Sequence, residues 1–163
     1  LDVSSGACSV AAETYVGALH GLQSFLQLVR PGTLAVNSTT ASDAPRYAFR
    51  AFLIDTARHF YPLGYIKQHV DAMAMVKMNV LHWHIVDSQS FPYQSLAFPE
   101  LSEAGAWRAD HVYSQKDVAE VVEYAKARGI RVMPEFDTPG HMQAGYGAVP
   151  GLLTACYDPK TGE

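Results

Sequence analysis

The sequence predicts an α/β fold of parallel strands joined by helices, part of an eight-stranded (β/α)8 TIM barrel. Three observations carry this. From Arg46 onward, apolar runs of strand length alternate with segments of helical periodicity. The runs at 49–55, 79–86 and 130–136 are nearly continuous in apolar or aromatic residues, as strands buried on both faces must be. Each leads into an acid (Asp55, Asp87, Asp137), and the turn after the first, Asp55-Thr56-Ala57-Arg58-His59, lacks the glycines of a doubly wound nucleotide site. At 163 residues the chain has the length of one ordinary domain but falls short of the ~250 residues of a whole barrel.

The elements follow in order. Between residues 10 and 30, Tyr15, Val16, Leu19, Leu22, Phe25, Leu26 and Val29 recur at helical spacing, and Pro31-Gly32 stops the helix. Gly17 and Gly21 share one face and permit a close backbone approach. Residues 33–45 form a polar connector and the best domain boundary, dividing the chain into 1–45 and 46–163. A strand over 49–55 precedes a helix over 65–77, with Pro62 near its start. A second strand, 79–86, leads into a long loop, 88–113, containing Phe91-Pro92 and Phe98-Pro99. Ser114 with Asp117 three residues on is a capping box opening a helix through Arg128, which Gly129 ends. The third strand is 130–136.

Composition narrows the partners. The chain is 48% apolar and 17% charged, which suits a folded domain and not a disordered one. Twelve Lys+Arg against sixteen Asp+Glu give a net charge of -4, so no nucleic-acid partner is expected. No apolar run approaches the ~20 residues that span a bilayer, so no membrane partner is expected either. The first residue is Leu1, and no basic n-region or apolar h-region of a signal peptide follows. Cys8 and Cys156 are either buried thiols or, in a secreted protein, members of disulfides. Asn37-Ser38-Thr39 is an N-glycosylation acceptor in a polar loop, which favours a secretory or lysosomal route.

In a barrel the active site lies at the carboxyl ends of the strands. Asp55, Arg58 and His59 follow the first, Asp87 ends the second, and Glu135, Asp137 and His141 gather at the third. Arg58 can donate paired hydrogen bonds to vicinal hydroxyls, or else bridge to Asp55. Asp137 and His141 flank a tight turn and can hydrogen-bond, fixing the ring tautomer beside a catalytic carboxyl. His82 and His84 would suit a metal, yet strict alternation puts Asp87 on the opposite face, and only a bulge would bring it round. Histidines that pack or that support neighbouring site groups are the preferred reading, with no metal and no cofactor. Phe91, Tyr93, Phe98, Trp107 and Tyr113 either pack the long loop or stack on sugar faces. His69 and His111 carry no functional signal.

Several long stretches, in order, carry a family resemblance. They are Phe52-Leu-Ile-Asp-Thr-Ala-Arg-His-Phe60, Asp71-Ala-Met-Ala74, Lys77-Met-Asn-Val-Leu-His-Trp-His-Ile-Val-Asp87, Ser90-Phe-Pro-Tyr-Gln-Ser95, Phe98-Pro-Glu-Leu101 and Arg128-Gly-Ile-Arg-Val-Met-Pro-Glu-Phe-Asp-Thr-Pro-Gly-His141. Residues 46–157 thereby resemble the family-20 β-N-acetylhexosaminidases of lysosomal and eukaryotic type. The resemblance implies that the chain supplies only the first three βα units of the barrel, preceded by the end of a small α+β domain.

The reaction it implies is removal of terminal N-acetylglucosamine or N-acetylgalactosamine from glycans by substrate-assisted retention, in which the sugar's acetamido oxygen is the nucleophile. Arg58 would hold hydroxyls of the terminal sugar, while Asp87, Asp137 and His141 would support the catalytic acid. The family's catalytic Asp-Glu pair belongs to the end of a fourth strand, beyond Glu163, and Glu135 is no substitute for it; this chain alone is expected to be inactive. Cys8 and Cys156 are expected to find disulfide partners outside the chain, and the whole protein to form a dimer. Two other readings stay open: a non-catalytic carbohydrate-binding or structural protein that retains this fold, and a metal-dependent barrel hydrolase using His82 and His84.

Overall fold

The computed structural model describes residues 1–154. Its N-terminal part comprises β1 (Asp2–Ser4), β2 (Ala7–Ser9), α1 (Tyr15–Leu28) and β3 (Thr39–Thr40). These strands form an antiparallel sheet in the order β2-β1-β3. Thr14 caps α1, its side chain accepting from the Gly17 N–H at 3.0 Å. The helix stops at Leu28, sooner than its periodicity suggests, because Val29 is extended and Arg30 precedes a proline. Gly21 permits the approach predicted for it, since a Cβ there would lie 2.5 Å from Val10 Cγ1.

The second part alternates as expected: β4 (Ala51–Asp55), α2 (Leu63–Met75), β5 (Val80–Val86), α3 (Glu100–Gly105), α4 (Gln115–Lys126), β6 (Arg131–Phe136) and α5 (Gln143–Tyr146). The strands are parallel, in the order β4-β5-β6. Helix α2 begins earlier than its apolar spacing implies, because Pro62 takes the N-cap and its carbonyl accepts from the Tyr65 N–H at 2.9 Å. The capping box of α4 forms: Ser114 Oγ accepts from the Asp117 N–H at 3.2 Å, and the Asp117 carboxylate accepts from the Ser114 N–H at 2.9 Å. Gly129 ends the helix at φ +72°, a conformation side chains resist, and a Cβ there would strike Val16 of α1. The two parts are also tied by Tyr15 Oη donating to the Ala127 carbonyl at 3.1 Å, and by Lys77 Nζ reaching Ser24 and Asp43 at 2.6 and 2.8 Å.

The parallel sheet has two unlike faces. Ile54, Leu81, Trp83 and Ile85 join one buried cluster with Ile66, Val70 and Met73 of α2 and Val121 and Ala125 of α4. Each such side chain contributes ~1.5–3 kcal/mol of burial. The alternate residues Leu53, His82 and Met133 stand in register across the other face, and so do Asp55, His84 and Glu135 one step nearer the strand ends. Polar groups are therefore concentrated on the side the helices leave open. Beneath the loops, Gly105 and Gly145 leave room for Phe91; a Cβ on either would come within 3.0 Å of it.

Two substitutions test this layout by urea denaturation. Ser114→Ala, which removes one cap, should cost about 1 kcal/mol. Leu81→Ala, which opens a cavity at the centre of the sheet, should cost about 2–5 kcal/mol.

Candidate active site

The rim is organised around the Asp87 carboxylate, which is fully shielded from solvent. Its Oδ1 accepts from the Ser88 N–H at 2.6 Å and lies 3.1 Å from His141 Nδ1. Its Oδ2 lies 2.6 Å from His84 Nε2 and 2.7 Å from Arg58 Nη2. Burial works hardest against the charged form, but the hydrogen bonds from His84, Ser88 and His141 and the Arg58 charge outweigh it and hold the carboxyl below its usual range.

Asp87 reaches His84 through a break in regular pleating. The β5–β6 register shifts between His84 and Val86, a bulge that returns the Asp87 side chain to the His84 face. Strict alternation, which separates the two, fails here for that reason. His141 sits at φ +61°, an uncommon backbone for a residue with a Cβ, and in this conformation its ring meets Asp87. The hydrogen bond expected between Asp137 and His141 is replaced by this one. Asp137 stays close, with donor atoms of Asp87, Asp137 and His141 all within 4.8 Å of one another.

Arg58 forms the bridge to Asp55. Nη1 donates to Asp55 Oδ2 at 2.6 Å, Nη2 faces Asp87, and Nε donates to Gln89 Oε1 at 2.9 Å. Its side chain remains 43% exposed, and Nη2 also lies 3.4 Å from His141 Nδ1. Asp55 also accepts from the Ala57 and Arg58 N–H groups at 3.0 and 3.1 Å; burial opposes its charge, but these bonds and Arg58 lower its carboxyl overall.

His82 Nε2 bonds Glu135 Oε2, and the same oxygen lies 3.2 Å from His84 Nδ1. Both histidines are thus engaged by carboxylates. A divalent cation among Asp87, Asp137 and His141 would have to sit beside Arg58 and His84, which already contact Asp87, so this donor set fits a metal poorly.

The match to known proteins fits this rim: residues 47–162 match the model for the catalytic domain of glycosyl hydrolase family 20. The chain belongs to glycosyl hydrolase family 20. Among its relatives, the β-hexosaminidase subunit beta of Mus musculus is 54% identical over 153 residues, covering 92% of this chain and 28% of that protein. The subunit alpha of Rattus norvegicus is 49% identical over 161 residues, covering 96% and 30%. The chain therefore spans less than a third of the length of these relatives. Among solved structures, the family-20 chitobiase of Flavobacterium johnsoniae superposes with a TM-score of 0.76 at 39% identity, over 82% of this chain and 20% of that one.

Within this family-20 domain, Arg58, Asp87 and His141 meet in one network with Asp137 beside it. His59 does not join: it is exposed, stacks on Tyr61 at 4.8 Å and faces the Phe60 carbonyl. Of the loop aromatics, Phe91 and Tyr113 are core, Tyr93 packs edge-on against Phe136, and Phe98 is exposed away from any ring partner. Trp107 reaches the rim, donating from Nε1 to the Ala57 carbonyl at 2.9 Å with its ring largely exposed. Asn37 is exposed in the loop before β3. Cys8 is exposed on β2 and unbridged among the described residues, against the reading of a buried thiol; Cys156 lies outside them. No signal in the sequence marks Gln89, whereas His84 is marked by its place three residues before Asp87 on a strand that is apolar apart from His82 and His84.

Asp87 carries a sign-definite pH dependence. A carboxyl lowered by folding adds stability that is present above its unfolded value near ~4 and is lost as pH falls through the folded value. Asp87→Asn should therefore flatten the acid branch of the stability curve below about pH 4, read from denaturation midpoints against pH.

Proposed function

We propose that the protein to which this chain belongs is a β-N-acetylhexosaminidase that releases terminal N-acetylglucosamine or N-acetylgalactosamine from glycans with retention of configuration. The observation that supports it most is Arg58, fixed by Asp55, Asp87 and Gln89 at the strand ends with its side chain still partly exposed. A planar, always-charged fork in that position suits the vicinal hydroxyls of a terminal sugar. Trp107 beside Ala57 offers an exposed aromatic face for an apolar sugar surface.

In the proposed reaction the acetamido oxygen attacks the anomeric carbon as the glycosidic bond breaks. The bonding pair leaves on the aglycone oxygen, which takes a proton from a carboxylic acid. Water then attacks the anomeric carbon, the acetamido oxygen departs, and the released proton returns to the acid. That acid and its Asp neighbour are expected at the end of a fourth barrel strand, beyond Glu163. Asp87, Asp137 and His141 act as its supports, with His141 Nδ1 held 3.1 Å from Asp87 Oδ1.

The finer architecture belongs to the same proposal. Residues 46–163 supply the first three βα units of a (β/α)8 barrel, and residues 1–45 the end of a small α+β domain. The antiparallel sheet with α1 supports the second part of that reading, and the parallel order β4-β5-β6 the first. The protein is further proposed to be lysosomal or secreted, glycosylated at Asn37, dimeric, and disulfide-bonded from Cys8 and from Cys156 to partners outside this chain.

Hydrolysis of an aryl N-acetyl-β-glucosaminide by the full-length protein tests the activity. Arg58→Ala should lower kcat/KM by about 10²–10³, the loss of two charge-assisted hydrogen bonds to the sugar. A kcat/KM equal to that of the unaltered enzyme would remove Arg58 from substrate binding.

A further inference from the structure

We propose that His84 is a positioning residue, held as an imidazolium between Glu135 and Asp87, and that its charge keeps Asp87 an anion beneath Arg58 and His141.

The argument starts from hydrogen inventory. A neutral imidazole has one N–H and one lone pair. His84 presents both nitrogens to carboxylate oxygens, Nε2 to Asp87 Oδ2 at 2.6 Å and Nδ1 to Glu135 Oε2 at 3.2 Å. A neutral ring would aim its lone pair at an anion. A second proton at Nδ1 would turn that repulsion into attraction, as would a proton on one of the acids.

The surroundings decide between these. A proton on Asp87 would compete with donors already at both its oxygens, Arg58 and His84 on one and Ser88 and His141 on the other. A proton on Glu135 Oε2 would oppose His82 as well as His84. Around the ring stand three carboxylates, Asp55 from β4, Asp87 at the end of β5 and Glu135 from β6, with Asp137 further out. Against them there is one permanent cation, Arg58; the remaining bases are His82 and His141. Shielding from solvent is the largest single influence on His84 and opposes its charge. The hydrogen bonds to Asp87 and Glu135, and the fields of Glu135 and Asp55, outweigh it and raise the ring's proton affinity.

The result is an alternating line, His82–Glu135–His84–Asp87–His141, running from the open face of the sheet to the rim. The role for Asp87 within it rests on the hydrolase reading above; the protonation state of His84 does not.

The test uses the full-length protein labelled with 15N-histidine. Long-range proton–nitrogen spectra should give His84, assigned by its loss in His84→Gln, the nearly equal nitrogen shifts of an imidazolium throughout pH 5–7. Widely split shifts over that range would overturn the proposal, and this measurement needs no variant to be active. His84→Gln keeps a donor near Asp87 without the charge, so Asp87 should protonate more easily. The acid limb of kcat/KM should then move upward by about one pH unit, and the plateau fall by about tenfold. Loss of plateau activity with the acid limb unmoved would mark a merely structural side chain and overturn the positioning role. An imidazolium signature in a protein without hexosaminidase activity would support the protonation state while overturning the hydrolase reading.

Discussion

A carboxylate removed from water has to be matched by donors, and Asp87 is fully shielded. Four groups from three parts of the chain meet that demand: Arg58 after β4, His84 and Ser88 on either side along the chain, and His141 after β6. Each would relax elsewhere if the acid were absent. The guanidinium would keep Asp55 and Gln89 but lose its inner anchor, and His141 would lose the partner that its left-handed backbone serves. The geometry of the rim is therefore a consequence of one buried charge, and the order of the strands decides which groups can reach it.

That order works through register. Parallel pairing puts Asp55, His84 and Glu135 in one row, so three acid–base groups share a face before any loop contributes. A single bulge after His84 then adds Asp87 to the same side. Without it, Asp87 would point toward the helices, on the side of Trp83 and Ile85 and of the apolar cluster they join. The loops finish the arrangement, with Gly105 and Gly145 closing around Phe91 near the segment that carries His141.

Much of this was legible in the residues and some was not, for reasons of length and distance. The three apolar runs and the capping box at Ser114 are local signals, and strands and helix formed where they stood. β1, β2 and β3 are only two or three residues long, too short to show a periodicity, and β3 exists only through its pairing with Asp2 and Val3, about 37 positions away. α3 and α5 are six and four residues, held by packing on Phe91 more than by propensity. At the site, residue types and strand ends pointed to Arg58, Asp87 and His141. The partnership of His141 with Asp87, instead of the nearer Asp137, spans 54 positions and hangs on a bulge with no signature in composition.

The division of the sheet into two faces explains how so many charges are tolerated beside a core. Leu81, Trp83 and Ile85 commit one face to α2 and α4, and Trp83 Nε1 donates to Thr56 Oγ1 at 2.9 Å, so even its polar atom is satisfied there. None of the rim's ionisable groups belongs to that cluster. Stability and chemistry are thus carried by alternate residues of the same strand: His82 and His84 are the neighbours of Leu81, Trp83 and Ile85. Shifting β5 by one residue would exchange the two sets, burying the histidines under helices and exposing Trp83, which would damage both at once. The hydrophobic demand of the helix-facing residues therefore also holds the acid–base row in place. The geometry of the open face is enforced from behind by packing on the opposite side of the sheet.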